Sequence, residues 1–222
     1  MTIRLTLLCA PGGDATLDPF LGGDAPLSRR SLHEAAVVGA ALPPHGLAVR
    51  APSNRCAQTA EAVGLVAASE PALRDIDLGE WSGRTVPDLV ATDPVAFSNW
   101  LTDPDAAPPG GDSVRELCRR TANWLNIVAS DTGHAVAITE AAVVRAALVH
   151  ALGVPARAFW HLPVAPLSVV SLAWRHGSWG VRLGCGVREQ FAHEGRPYAP
   201  IVVSPRRAAW AAGSGRVQQP GK

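Results

Sequence analysis

The chain has 222 residues, 47% of them apolar, and a formal net charge of +1, which is enough length and apolar content for one full core. So balanced a charge gives no electrostatic argument for nucleic acid or an anionic membrane as partner, and no apolar run approaches the length of a membrane span. The first apolar run is too short, lacks a basic lead-in and has no small-residue cleavage site, so no signal peptide is expected. The four cysteines, Cys9, Cys56, Cys118 and Cys185, are scattered without CxxC or metal spacing, and a reduced cytoplasmic protein is the simplest reading.

Ile3 to Cys9 is an apolar run stopped by Pro11-Gly12-Gly13, which predicts a buried strand ending in a tight loop. Asp14 to Asp24 is Gly- and Asp-rich and reads as surface. Ser28 is a good N-cap for a helix whose apolar face is Leu32, Ala35, Ala36, Gly39 and Leu42, ended by Pro43-Pro44. Leu47-Ala48-Val49 is a short strand. Ser53-Asn54 then starts a helix that turns Cys56, Ala57, Ala60, Val63 and Gly64 inward, with Arg55 in its first turn where backbone N–H groups already favour anions.

Ser69 to Pro109 is irregular. Leu73-Arg74-Asp75 is expected as a brief strand, followed by the loop Gly79–Gly83 and short helical pieces around Val86–Val90 and Val95–Trp100. This stretch has the look of a lid or side subdomain. Ser113 and Glu116 form a capping box before a helical stripe of Val114, Leu117, Cys118, Thr121, Trp124, Leu125 and Val128. Ala135 to Thr139 is apolar without alternation, as a central parallel strand requires. Glu140 follows at its end, then a helix from Ala141 to Leu152 closed by Gly153 and Pro155. Val169–Trp174 and Trp179–Leu183 flank Arg175-His176-Gly177-Ser178 as an edge hairpin. The alternation predicts a doubly wound, mostly parallel α/β domain over 1–184 with an irregular helical lid insertion. Residues 185–222 form a C-terminal extension whose end, Ala211–Lys222, is expected to be disordered.

Taken in order, several local patterns carry a resemblance: Asp24-x-Pro26-Leu27-Ser28, Ser53-Asn54-Arg55 through Ala60, Leu73-Arg74-Asp75 with Gly79-Glu80-Trp81-Ser82-Gly83, Pro109 to Ser113, and Thr139-Glu140 through Arg145 with Leu152-Gly153-x-Pro155. The chain resembles the histidine phosphatase (phosphoglycerate mutase-like) superfamily from about Thr2 to Leu183. That resemblance implies a first strand ending in Arg-His-Gly, whose histidine attacks phosphorus. It also implies a second arginine and a second histidine on the phosphoryl oxygens, and an acid that protonates the leaving group. Carried onto this sequence, the first arginine is Cys9, the nucleophile Ala10 and the glycine Pro11; the second arginine is Arg55, the acid Asp75 and the second histidine Glu140.

A methyl group cannot form a phosphohistidine, and losing a nucleophile that acts with its partners costs several orders of magnitude. A carboxylate ~4 Å from a phosphate charge opposes binding by roughly 4 kcal/mol at an effective dielectric of about 20, an upper-end illustration. The expectation is therefore a degenerate site that neither hydrolyses nor tightly binds phosphomonoesters. Asp75 and Glu140 are the candidate catalytic pair, suited to acid/base work if one pKa is raised, or else they simply pair with Arg55. Arg55, Cys9, Ala10 and Trp81 are candidate binding residues, with Trp81 and Trp100 either lining a cleft or packing under a lid. Cys9 and Cys56 are conceivable nucleophiles, but a lone buried cysteine is usually inert and packing is the expectation for both. Arg175-His176-Gly177 spells the missing triad, but in a hairpin; His150 and His161 read as surface or core-edge residues. No metal site and no cofactor are expected.

Three functions stay open: a non-catalytic binding or regulatory protein, a lyase, isomerase or cyclase using Asp75 and Glu140, and residual phosphatase or mutase activity. The partner, a small molecule or a protein, is not identified, and a homodimer is left open.

Overall fold

The computed structural model describes residues 3–12, 20–129 and 133–182. Its centre is β1 (Ile3–Cys9), buried at every position except Arg4. β1 pairs in parallel with β4 (His134–Thr139), which pairs in parallel with β2 (Leu47–Arg50), which in turn pairs with the two-residue β3 (Ala68–Ser69). On its other side β1 runs antiparallel to β5 (Val169–Arg175), itself paired with β6 (Ser178–Arg182). The order is β3-β2-β4-β1-β5-β6, a mostly parallel sheet with an antiparallel hairpin at one edge. β4 is buried from Ala135 to Thr139, so both its faces are covered, which explains why its apolar residues do not alternate.

Helices supply that cover. α1 (Arg29–Gly39) packs on α2 (Asn54–Ala62), and α5 (Val114–Val128) packs on α6 (Ala141–Leu152). Ser28 caps α1 as expected, its hydroxyl accepting from the Ser31 N–H. The α1 helix stops at Gly39, not at Pro43-Pro44. Gly39 touches α2 so closely that a Cβ there would lie 2.7 Å from the Val63 Cα. On α2 the fully buried residues are Cys56, Thr59 and Ala60; Thr59 replaces Ala57 because its hydroxyl donates to the Arg55 carbonyl at 2.8 Å and so arrives satisfied. The Ser113–Glu116 capping box at α5 is present in both directions. Gly153 closes α6 in the left-handed region (φ 63°).

One expected element is displaced. Leu73-Arg74-Asp75 is not a strand: β3 ends at Ser69, and Pro71–Leu73 is a 3-10 turn capped by the Glu70 carboxylate on the Ala72 N–H at 3.0 Å. Pro71 has no N–H to continue the ladder.

The irregular middle folds as expected for a side subdomain. α3 (Val86–Thr92) and α4 (Pro94–Trp100) enclose a small second core of Leu78, Trp81, Leu89 and Phe97. Arg175 to Ser178 is a hairpin turn with φ 52° at His176 and 82° at Gly177, so the Arg-His-Gly triplet sits at the sheet edge. The boundary near 184, the extension 185–222, Gly13 and Cys185 lie outside the described residues. Among the described residues no helix is long and apolar enough to cross a membrane.

Candidate functional site

In an open α/β sheet, ligands bind in the crevice beyond the carboxyl ends of the strands. Here that crevice is an open cleft of about 380 Å³, its charged walls being Asp24, Asp75, Asp77 and Glu140 against Arg55 and Arg74. Four segments build it: the loop before α1, the start of α2, the irregular stretch after β3, and the end of β4.

Glu140 ends β4 and is 6% exposed. It occupies the N-cap position of α6 yet makes no side-chain cap. Its carboxylate turns across the sheet instead and accepts from the Ser53 hydroxyl and, at 3.5 Å, from the Thr139 hydroxyl. Ser53 is itself the N-cap of α2, accepting from the Cys56 N–H at 3.2 Å. One hydroxyl thus joins the start of α2 to the end of β4.

Asp75 stands on the facing wall, half-buried. Its Oδ1 accepts from the Ile76 N–H at 2.9 Å and its Oδ2 lies 4.0 Å from the Arg55 guanidinium. Burial pushes its pKa up to about 6, helped by the charge of Glu140 and opposed by the Ile76 N–H, Arg55 and Arg120. A carboxyl that changes protonation near pH 6 can hold or give up a proton under ordinary conditions.

Arg55 pairs with Asp24 (3.7 Å) and Asp75 (4.0 Å), and its buried Nε makes no hydrogen bond. The expectation that Arg55 faces both Asp75 and Glu140 holds only for Asp75; the buried carboxylate of Glu140 is committed to hydroxyl donors. Asp24 is the residue that sequence reasoning passed over. Its two oxygens accept from the Asn54 N–H at 2.7 Å and the Arg55 N–H at 3.0 Å, occupying the free donors at the start of α2. The signal was present in the quoted Asp24-x-Pro26-Leu27-Ser28 pattern, but an isolated aspartate in a Gly-rich stretch also suits a surface loop.

Cys9 and Ala10 are buried beside Glu140 and do not line the cleft. The Ala10 N–H donates to the Thr139 carbonyl at 2.8 Å, and Cys9 is fixed by the Ser168 carbonyl at 3.0 Å and the Leu167 N–H at 2.9 Å. The Cys9 thiol donates to the Ala10 carbonyl at 3.4 Å, and burial, then Glu140, push its pKa up to about 12. The thiol of Cys56 is raised by the same two causes in the same order. Both sulfurs are packing groups, held in the unreactive thiol form.

Trp81 is a correction: it is 1% exposed and does not reach the cleft. It meets Phe97 and Trp100 edge-on, with centroids 5.8 and 5.9 Å away, at the heart of the small second core. Among the described residues no group of three His, Cys, Asp or Glu side chains comes together as a metal-binding cluster.

The fold is a mostly parallel α/β domain with its candidate site at the strand ends. The histidine phosphatase superfamily (branch 1) pattern matches residues 21–184, and the chain belongs to that family. It is 27% identical over 143 residues to the bifunctional protein Rv2228c of Mycobacterium tuberculosis, a match that covers 61% of this chain and 39% of that protein. The chain therefore spans about two fifths of the length of the curated relatives it matches.

Among solved structures it is similar to the alpha-ribazole phosphatase of Shigella flexneri, with a TM-score of 0.72 and 21% identity, covering 81% of this chain and 95% of that one. It is also similar to YhfR of Bacillus stearothermophilus, with a TM-score of 0.72 and 25% identity, over 81% and 95% of the two chains. A third is a His-to-Ala mutant of the Entamoeba histolytica phosphoserine phosphatase in complex with phosphoserine, with a TM-score of 0.71 and 17% identity, over 81% and 94%.

Proposed function

We propose that this chain is a pseudo-phosphatase: it uses the cleft to bind a ligand or partner and does not hydrolyse phosphomonoesters. The single observation that carries the reading is the end of β1, where Ala10 is hydrogen-bonded to Thr139 beside the buried carboxylate of Glu140. A methyl group cannot accept a phosphoryl group, and the neighbouring carboxylate repels one. The four carboxylates against two guanidinium groups around the cleft act in the same direction. That a phosphoserine phosphatase with a histidine changed to alanine holds phosphoserine supports the idea that this fold binds a small molecule after such a loss.

The test is direct. The purified chain is assayed against p-nitrophenyl phosphate and a panel of phosphomonoesters from pH 5 to 8. No turnover above buffer is expected, and a kcat in the ordinary enzymatic range, about 1–10³ s⁻¹, would overturn the proposal and favour the residual-phosphatase alternative.

A second reading has its own support. Asp75, with its pKa near 6 beside Glu140, suits proton transfer in a reaction other than phosphoryl transfer, of the lyase, isomerase or cyclase type. Asp75→Asn and Glu140→Gln should then both abolish any turnover found, and full activity in both would remove the reading.

A further inference from the structure

The stretch Ala72–Asp77, which carries Asp75 into the cleft, belongs to no strand or helix beyond the turn ending at Leu73. Backbone carbonyls in such a stretch still need partners. Three of them are satisfied by one side chain. Arg120, on α5 and largely buried, donates from Nη1 to the carbonyls of Ala72 (3.0 Å) and Arg74 (2.6 Å), and from Nη2 to that of Asp75 (3.2 Å).

The same Nη2 reaches Asp112 Oδ2 at 3.2 Å. Asp112 also receives the Arg74 guanidinium at 3.1 Å and the Asp77 N–H at 3.4 Å, while its own N–H donates to the Asp77 carbonyl at 2.7 Å. The segment is thus held on both sides of Asp75, by Arg120 of α5 up to Asp75 itself and by Asp112, just before α5, at Asp77.

We infer that Arg120, seated by Asp112, is the positioning residue of the cleft, fixing where Asp75 presents its carboxylate. This rests on the reading of the cleft as the functional site. Only a planar, forked cation can span three carbonyls and a carboxylate at once; a lysine ammonium is a point charge and cannot. The charged and titratable groups that act on Asp75 are Arg55 from α2, Arg120 from α5, Arg145 from α6, Cys9 from β1 and Glu140 at the end of β4. Asp75 keeps its place among them only while its backbone is anchored.

The experiment follows the carboxyl ¹³C signal of Asp75 in the full chain labelled at aspartate, assigned by its loss in Asp75→Asn. It compares wild type with Arg120→Lys, Arg120→Gln and Asp112→Asn. The expected result is a midpoint that falls by ~1 pH unit or more in both Arg120 variants, as the loosened segment carries Asp75 into solvent and away from Glu140. Asp112→Asn should shift it the same way by less.

A purely electrostatic role would raise the midpoint in Arg120→Gln and leave it unchanged in Arg120→Lys; a purely structural role would lower thermal stability without moving it. Either result in a folded variant overturns the inference. If Arg120→Gln does not fold, Arg120→Lys decides by the same criterion. Because the readout is a titration and not ligand capture or turnover, a fallen midpoint in a chain for which no ligand is found would leave the positioning role intact and count against the cleft reading alone.

Discussion

Asp75 and Glu140 are two carboxylates on one cleft with opposite solutions to burial. Glu140 is deep and satisfied by the Ser53 and Thr139 hydroxyls, whereas Asp75 is shallower and holds its proton to about pH 6. Its pKa is raised above the roughly 3.9 of an unfolded aspartate, so the native state favours the protonated form. The stability this contributes is fully present below about pH 4 and is lost as pH rises through about 6. Asp75→Asn keeps the Oδ1 acceptor for the Ile76 N–H and cannot ionise. The urea midpoint of wild type, measured against Asp75→Asn, should therefore decline between pH 4 and 7. A difference that stays constant over that span would refute the assignment. That Arg55, Asp75 and Glu140 meet at one cleft was legible because each belongs to a recognisable local pattern. Their pairings were not, since which hydroxyl or guanidinium a carboxylate meets depends on residues far away in the chain, such as Ser53 for Glu140.

At the scale of elements, periodicity did well wherever a segment buries one regular face. The capping box and stripe of α5, and the continuous apolar run of β4, follow the pattern of their residues. Leu73-Arg74-Asp75 lies past the end of β3 and is not a strand: the Thr139 hydroxyl takes the Leu73 carbonyl, and Arg120 takes those of Arg74 and Asp75. Just beyond it, Asp77–Glu80 meets the Pro108–Gly111 turn. Gly79 has φ 49° and sits so close to that turn that a Cβ would lie 2.2 Å from the Pro109 carbonyl oxygen, while Gly110 (φ 71°) has open space around its Cβ position. Gly79→Ala should cost more than the ~1 kcal/mol of left-handed strain expected for Gly110→Ala, by a further 1–3 kcal/mol or so. Urea denaturation of the two variants measures it, and equal losses would mean that the contact yields easily.

The whole molecule divides its buried apolar surface unequally. β1, β4, α5 and α6 share the large core, whereas α3 and α4 rest on the four buried residues Leu78, Trp81, Leu89 and Phe97. Local opening free energy follows such differences in burial. Amides of α3 and α4 are expected to exchange with deuterium well before those of β1 and β4 in native-state exchange. Equal protection would show that the side subdomain opens only with the whole domain. The Trp81 loop illustrates why a sequence shows an aromatic but not its duty: Trp81 faces inward because Phe97 and Trp100, themselves on a helix of only seven residues, need a ring to close against.

Asp24 has a consequence for any oxyanion that visits this crevice. Its carboxylate already sits on the amides of Asn54 and Arg55 and beside the Arg55 side chain, so the protein carries its own competitor, tethered by a short stretch of chain. A tethered rival acts at an effective concentration on the order of millimolar or more, and free phosphate below that level has to dislodge it before it can settle there.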